Sequence, residues 1–437
     1  MGFSVFIVLS IFALAVICYK IASRETSLAS RHFSWFSLFA TFLVTQVSTC
    51  SLLYTAELAY YDGVFAILYP LGTSIGLLAL GLGIGTKLHK LQFTDISDVF
   101  YTHYGSEWLK KASSLLLFVA LLGLLIAQAM ALKSLLKTIG IDQELFFIVI
   151  WMSIIFLALQ RMQQTTARTD IFQAGLIIAV FSTAYFLSHS PSSSTLLLSE
   201  VRDNVAQDID SKLTSYLLMP CFFVFFEPKT IRNISFKISK SKTLTASLFS
   251  GLILFLISLV PAYCGMAGKA IEAELTCGDI APTSAVENTM LIKCCTYILL
   301  FALMCGILSL FRSLSARIKA SDPIFGTGVW TLATGLVAFA CSHIECRIPD
   351  LVFTSYELVV VCLFVPLVMA ALSERATAIS NLGAMLSMIF GATSFCLCHL
   401  FAVTFFPEML SLAISWLGFI VGQRIAKRQE AHDYIHS

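Results

Sequence analysis

The sequence predicts an all-α, polytopic membrane helical bundle. Only 12% of its 437 residues are charged while 58% are hydrophobic, and the mean hydropathy is +0.86. A soluble chain of this length needs charge to cover its surface, so lipid is the main solvent. About 13 apolar segments approach the roughly 20 residues a spanning helix needs, because lipid offers backbone amides no partners. The loops between them alternate sharply in Lys and Arg content.

Taken in order, the first span covers 3–19; no basic run and no small-residue cleavage site precede Lys20, which predicts an uncleaved helix. The second, 34–56, is interrupted by the polar run Thr41, Thr45, Gln46, Ser48, Thr49, Cys50 and Ser51, followed by Glu57 near its outer mouth. The third, 64–87, holds Gly81, Gly83 and Gly85; no strand precedes them, so small-residue helix packing explains them better than a dinucleotide fingerprint. The fourth, 112–138, carries a lone deep polar residue, Gln128, placed for an interhelical hydrogen bond or for a solute. Spans at 145–160 and 168–188 follow, the latter opening on Asp170, whose charge suits a helix N-terminus. The seventh, 213–226, is short, contains Pro220 and stops at Glu227-Pro228. Spans at 242–266, 291–311 and 325–342 lead to 349–372, where Glu357 sits several residues inside; it either lines a cavity or snorkels outward. Spans at 379–402 and 405–423 complete the set.

Short loops rich in Lys and Arg stay on the cytoplasmic side. Placing the N-terminus outside and the C-terminus inside leaves only Lys133, Lys137, Arg202, Lys212, Lys269, Lys293 and Arg347 of the 28 basic residues on the outer side. That side also collects Glu200, Asp203, Asp208, Asp210, Glu272, Glu274 and Asp279. The expected location is the plasma (inner) membrane. The 13 cysteines form no CxxC pair and lie mostly in apolar spans as packing residues. Cys341, His343 and Cys346 share an outer turn with Cys277 in the preceding outer loop, leaving a disulfide and a metal site open. No loop is long enough for a nucleotide-binding domain, which argues against an ATP-driven pump, and no residue pattern signals an enzyme or a nucleic-acid partner.

The second and seventh spans stand five apart, the separation that an inverted repeat of five plus five helices produces, and transporter sites sit at such paired breaks. The alternative is that Ser and Thr bond back to the preceding turn and Pro220 is a tolerated kink.

The stretch Thr165 to Gln173, with Ala167, Thr169 and Asp170, resembles the opening of the sixth span in the sodium:solute symporter family. The polar second span leading to Tyr60 and Gly63, the segment Phe93 to Phe100 ahead of Tyr104-Gly105, and Pro261 to Met266 are similar too, over roughly residues 34–320. This resemblance implies a LeuT-like fold: an extra helix and inner loop (1–33), a first repeat (34–188), an outer loop (189–212), a second repeat (213–372), then two further helices and a cytoplasmic tail (373–437). It also implies a conserved-site sodium held by the Val44 and Val47 carbonyls and by Ser309. Leu310 stands where a second hydroxyl is common and Arg312 where an acid is common, which weakens a hard cation's site by losing an oxygen and adding positive charge.

The sequence therefore predicts a secondary active transporter, moving a small polar organic solute (an amino acid such as proline, a carboxylate or a sugar) by alternating access with a cation. The solute-binding residues expected are Thr49, Cys50, Ser51, Gln128, Pro220, Phe223 and Tyr356. Sodium binds weakly or a proton replaces it, with Asp170 or Glu357 as the titrating group. No organic cofactor is expected, and the oligomeric state is not encoded in the pattern. The alternative is a transporter-like receptor or sensor that binds solute without moving it.

Overall fold

The computed structural model describes residues 35–47, 49–84, 95–138, 143–159, 214–227, 240–276, 327–344, 346–372, 380–401 and 406–436, with shorter stretches around 174–182 and 299–317. Regular structure among them is helical: α1 Trp35–Gln46, α2 Thr49–Asp62, α3 Leu68–Ala79, α4 Ile96–Tyr104, α5 Glu107–Thr138, α6 Glu144–Leu159, α7 Met219–Phe223, α8 Lys240–Thr276, α9 Thr327–Cys341, α10 Ile348–Leu372, α11 Asn381–Leu400 and α12 Pro407–His436. Six helical runs among the described residues are long and apolar enough to cross a membrane, and shorter apolar helices include Trp35–Gln46, Glu144–Leu159 and Ala302–Ser315. Leu82, Leu115, Leu145 and Leu400 are between 63% and 77% exposed. Such side chains are costly in water and at home in lipid. The first expected span and most of the sixth lie outside the described residues.

The chain gathers into two compact units: Met1–Leu71, Leu122–Gln207 and Phe249–Leu351 form one, and Gly72–Leu121, Asp208–Leu248 and Val352–Ser437 the other.

In the first unit α1 ends at Gln46 and α2 begins at Thr49, with Val47 between them outside helical structure. Thr41 and Thr45 donate to the carbonyls of Ser37 and Thr41 at 2.9 and 2.6 Å. The hydroxyls of α1 thus bond back one turn, and the helix still stops at Gln46. After α2, Gly63 takes a left-handed φ of 61°, which glycine adopts without Cβ strain. A straight helix would hold Tyr54 and Tyr69 about 22 Å apart at 1.5 Å per residue. Their ring centroids are 4.5 Å apart, so the chain folds back at Gly63. Gly265 of α8 lies against the Ala56 carbonyl of α2, where a Cβ would collide. Helices approach this closely in lipid only through small residues. On α6, Trp151 Nε1 donates to the Gly335 carbonyl of α9 at 3.0 Å, and Phe147 stacks on Phe339 at 5.5 Å.

In the second unit the segment before α5 is built on caps. Asp95 accepts from the Ile96 amide at 2.8 Å and from Ser97 Oγ at 3.1 Å, satisfying donors a helix start leaves free. Gly105, with φ of 65°, closes α4 in the left-handed conformation. Tyr104 then donates to the Pro366 carbonyl at 2.7 Å, and Lys110 pairs with Asp98 at 2.9 Å. The residues of this sequence motif thus have architectural work: they start, stop and dock one short helix. Gly81 lies against Ser247, supporting the packing reading of its glycine run. The α11–α12 hairpin is bound by Ser387 to Ser415 at 2.9 Å and Ser394 to Ser411 at 3.1 Å. Gly383 and Gly422 let its backbones close together, and Gly391 does the same for α11 against Val361 of α10.

Candidate functional site

The break between α1 and α2 is the first feature with chemical capacity. A helix ending at Gln46 leaves the carbonyls of its last turn without intrahelical amides; of these, Leu43's is taken by the Val47 N–H at 2.7 Å. Val44 and Val47, the expected carbonyl ligands, are 6% and 0% exposed. Thr49, Cys50 and Ser51 form the first turn of α2; their side chains lie outside the described residues. In the same unit Gln128 of α5 is 8% exposed, and its side-chain carbonyl oxygen has no hydrogen-bond partner among the described residues. The interhelical bond expected as one role for Gln128 is not made by that oxygen. Its Nε2 faces Gly306 of the Ala302–Ser315 run, and it is the one described atom a Cβ there would approach, at 3.8 Å. A buried amide oxygen left unpaired costs about 1–3 kcal/mol. Ser309, three residues on, is half-buried, and its carbonyl accepts from Ser313 Oγ at 3.3 Å. Leu310 beside it is buried, and Arg312 lies outside the described residues.

At the end of that unit, Arg347 stacks on the Tyr61 ring at 4.2 Å, and its charge and that of Asp350 both act on Glu57. Cys341 and Cys346 form no disulfide among the described residues, Cys277 lies outside those residues, and Cys346 Sγ is 3.9 Å from Met130 Sδ. Burial, then the charges of Asp350 and Glu57, push the Cys346 thiol above its ordinary range. Among the described residues no three His, Cys, Asp or Glu side chains gather as a metal site.

The second unit holds the seventh span. It passes through three geometries in thirteen residues: a π-helical turn at Thr214–Leu218, α7, and a 3-10 turn at Val224–Phe226, before Glu227 turns extended at φ −66°, ψ 115°. Pro220 sits in the first turn of α7, where its missing amide is least missed. Two expected site residues meet here: Phe223 stacks on Tyr356 with centroids 4.0 Å apart and planes 20° from parallel. Phe222 stacks likewise on Phe364 at 4.1 Å. Gly72 and Gly76 of α3 press against the carbonyls of Leu217 and Cys221, so the irregular segment is held by backbone contact.

Glu357 is 5% exposed and does not snorkel; its Oε2 lies 3.0 Å from His399 Nε2 on α11. Its Oε1 has no partner among the described residues. Ser215 donates to Glu408 Oε1, while Glu408 Oε2 is buried without a partner among the described residues. Asp170, the other expected titrating group, lies outside the described residues. Sequence reasoning missed His399 and Glu408. The available signal was a His and a Glu at adjoining ends of the last two apolar spans, in a chain whose other deep acid lacked a partner.

No protein family and no curated relative matches the chain by sequence. Solved structures do match. A Na+-coupled sialic acid symporter in a substrate-bound outward-open state superposes with a TM-score of 0.73 at 12% identity, over 97% of this chain and 96% of that one. Mhp1, a nucleobase-cation-symport-1 family transporter closed around bromovinylhydantoin, gives 0.60 at 11% identity, over 92% and 94%. A manganese transporter of Eremococcus coleocola gives 0.52 at 13% identity, over 92% and 98%. The fold is LeuT-like. At these identities the likeness establishes architecture alone.

Proposed function

We propose that the chain is a secondary active transporter that carries a small polar organic solute across the membrane by alternating access, coupled to a cation. One observation carries the reading: a helix broken at Val47 in a LeuT-like fold, in the same unit as a buried Gln128 whose carbonyl oxygen lacks a partner. Discontinuous helices expose backbone groups that bind substrate and ion, and such breaks survive in lipid only where they are buried in protein or line a cavity. Thr49, Cys50, Ser51 and Gln128 are the residues we assign to solute at the first break, with Pro220, Phe223 and Tyr356 assigned at the second. The 5+5 repeat, the outside N-terminus and a plasma (inner) membrane location belong to the same proposal.

For the cation, the Val44 and Val47 carbonyls with Ser309 supply oxygens, and the buried apolar Leu310 supplies none, so sodium binds weakly. A ligand-induced thermal-shift screen of amino acids, carboxylates and sugars, repeated with sodium replaced by potassium, tests solute and cation together. A shift that needs neither cation favours the proton as the coupling ion. A second reading, a solute receptor, follows from the same Leu310: tight binding with no flux in proteoliposomes would select it over transport.

A further inference from the structure

We propose that Glu357, His399 and Glu408 form one proton-binding site, which ties the two C-terminal helices to α10 and serves as the point of proton coupling; it rests on the transport reading above. The three residues come from three helices. Glu357 lies nine residues into α10, His399 one residue before the end of α11, and Glu408 in the first turn of α12. Two carboxylates and one imidazole cannot all be satisfied by one another. With His399 protonated the group still carries one excess negative charge, and two of its carboxylate oxygens, Glu357 Oε1 and Glu408 Oε2, are buried with no donor among the described residues. Isolated charge in lipid is costly, and an orphaned oxygen adds to that cost. One further proton neutralises the cluster and turns one of the orphaned acceptor oxygens into a donor.

The geometry also supplies an entry path. The His399 side chain is 47% exposed and that of Glu357 is 7% exposed, with 3.0 Å between Nε2 and Oε2. An exposed imidazole near the end of its helix, in contact with a buried carboxyl, has the geometry of a relay: a proton taken up at the ring passes to the acid, and the ring is then free to take another. Phe395 closes on the ring edge at 4.5 Å and fixes its plane. Among the described residues, the other groups acting around Glu357 are these. Glu408 repels it, Cys362 on its own helix feels its charge, and Cys396 of α11 acts on Cys362. The segment at 214–218 adds Ser215, bound to Glu408, and Tyr216, stacked on Phe353 of α10 at 4.8 Å. The proton count at this site therefore bears on the docking of the seventh span's first turn, since Ser215 donates to Glu408. A solute-responsive helix and a protonation site then share one hydrogen bond.

Infrared difference spectra of the purified protein between alkaline and acidic buffer report carboxyl protonation directly. The expected result is a buried-carboxyl signal lost in Glu357→Gln and displaced in pH by His399→Gln and by Glu408→Gln. Glu408→Gln, at the helix start, keeps the test valid if Glu357→Gln does not fold. The companion measurement is solute uptake into proteoliposomes under a proton gradient. Loss of the signal in Glu357→Gln, with no solute moved by any gradient, supports the proton site and defeats the transport reading. Proton-driven uptake with signal and uptake indifferent to all three variants overturns this inference and leaves transport standing.

Discussion

The two interrupted helices are gripped alike and broken differently. In one unit Gly265 of α8 presses on the Ala56 carbonyl of α2; in the other Gly72 and Gly76 of α3 press on the carbonyls of Leu217 and Cys221. Under a five-plus-five repeat, α3 and α8 are counterparts, and so are the second and seventh spans, so this exchange of glycine contacts supports the repeat we propose. The breaks themselves share no chemistry. The first has neither Gly nor Pro and gives way where polar and β-branched residues crowd between Thr45 and Thr49, whereas the second is graded through π, α and 3-10 turns around Pro220. Equal clamps on unlike breaks imply that the clamps belong to the fold and the breaks to the function.

Breaking the clamps should have the largest effect. Gly265→Val and Gly72→Val each put a side chain against a carbonyl that cannot rotate away, and each should cost about 1–3 kcal/mol or more. Thermal unfolding in detergent should show both lowered comparably, while Gly306→Ala, whose Cβ would meet Gln128 Nε2 at an ordinary contact distance of 3.8 Å, stays near wild type. Next comes the aromatic wall of the second break: a Phe223→Ala, Tyr356→Ala double-mutant cycle should return a coupling of about 0.5–1.5 kcal/mol. Additivity would show that the stack contributes nothing beyond volume. Trp151→Phe, which removes the indole donor to Gly335 in the first unit, should cost about 1 kcal/mol in the same assay, with no effect on solute-induced stabilisation. The smallest stability effect belongs to Gln128→Leu. Removing a buried amide whose oxygen has no partner among the described residues should leave thermal stability unchanged or slightly higher while abolishing the solute-induced shift.

Much of this was legible in the sequence because membrane solvation writes itself into composition. The polar run at 41–51 announced the first break, Pro220 with Glu227-Pro228 announced the second, and Gly81 announced close packing. Phe223 and Tyr356, each expected from sequence as a solute contact, stack on one another, a contact that sequence spacing does not record. Other features needed the fold. Glu357 offered either a cavity or the surface as its destination, and only a partner 42 residues away decides for burial. Sequence spacing carries no record of which helix ends meet. Likewise Asp95 and Gly105 read as family motif, and their physical reason, a cap at each end of α4, became visible with the backbone.

The most direct test is radiolabelled solute uptake into proteoliposomes, using whichever compound the thermal screen selects, with sodium, proton and potassium gradients imposed in turn. Gradient-driven accumulation that is lost in Gln128→Leu and retained in Trp151→Phe is the expected result. Binding without accumulation under every gradient, or accumulation indifferent to Gln128, would contradict a carrier built on the break at Val47.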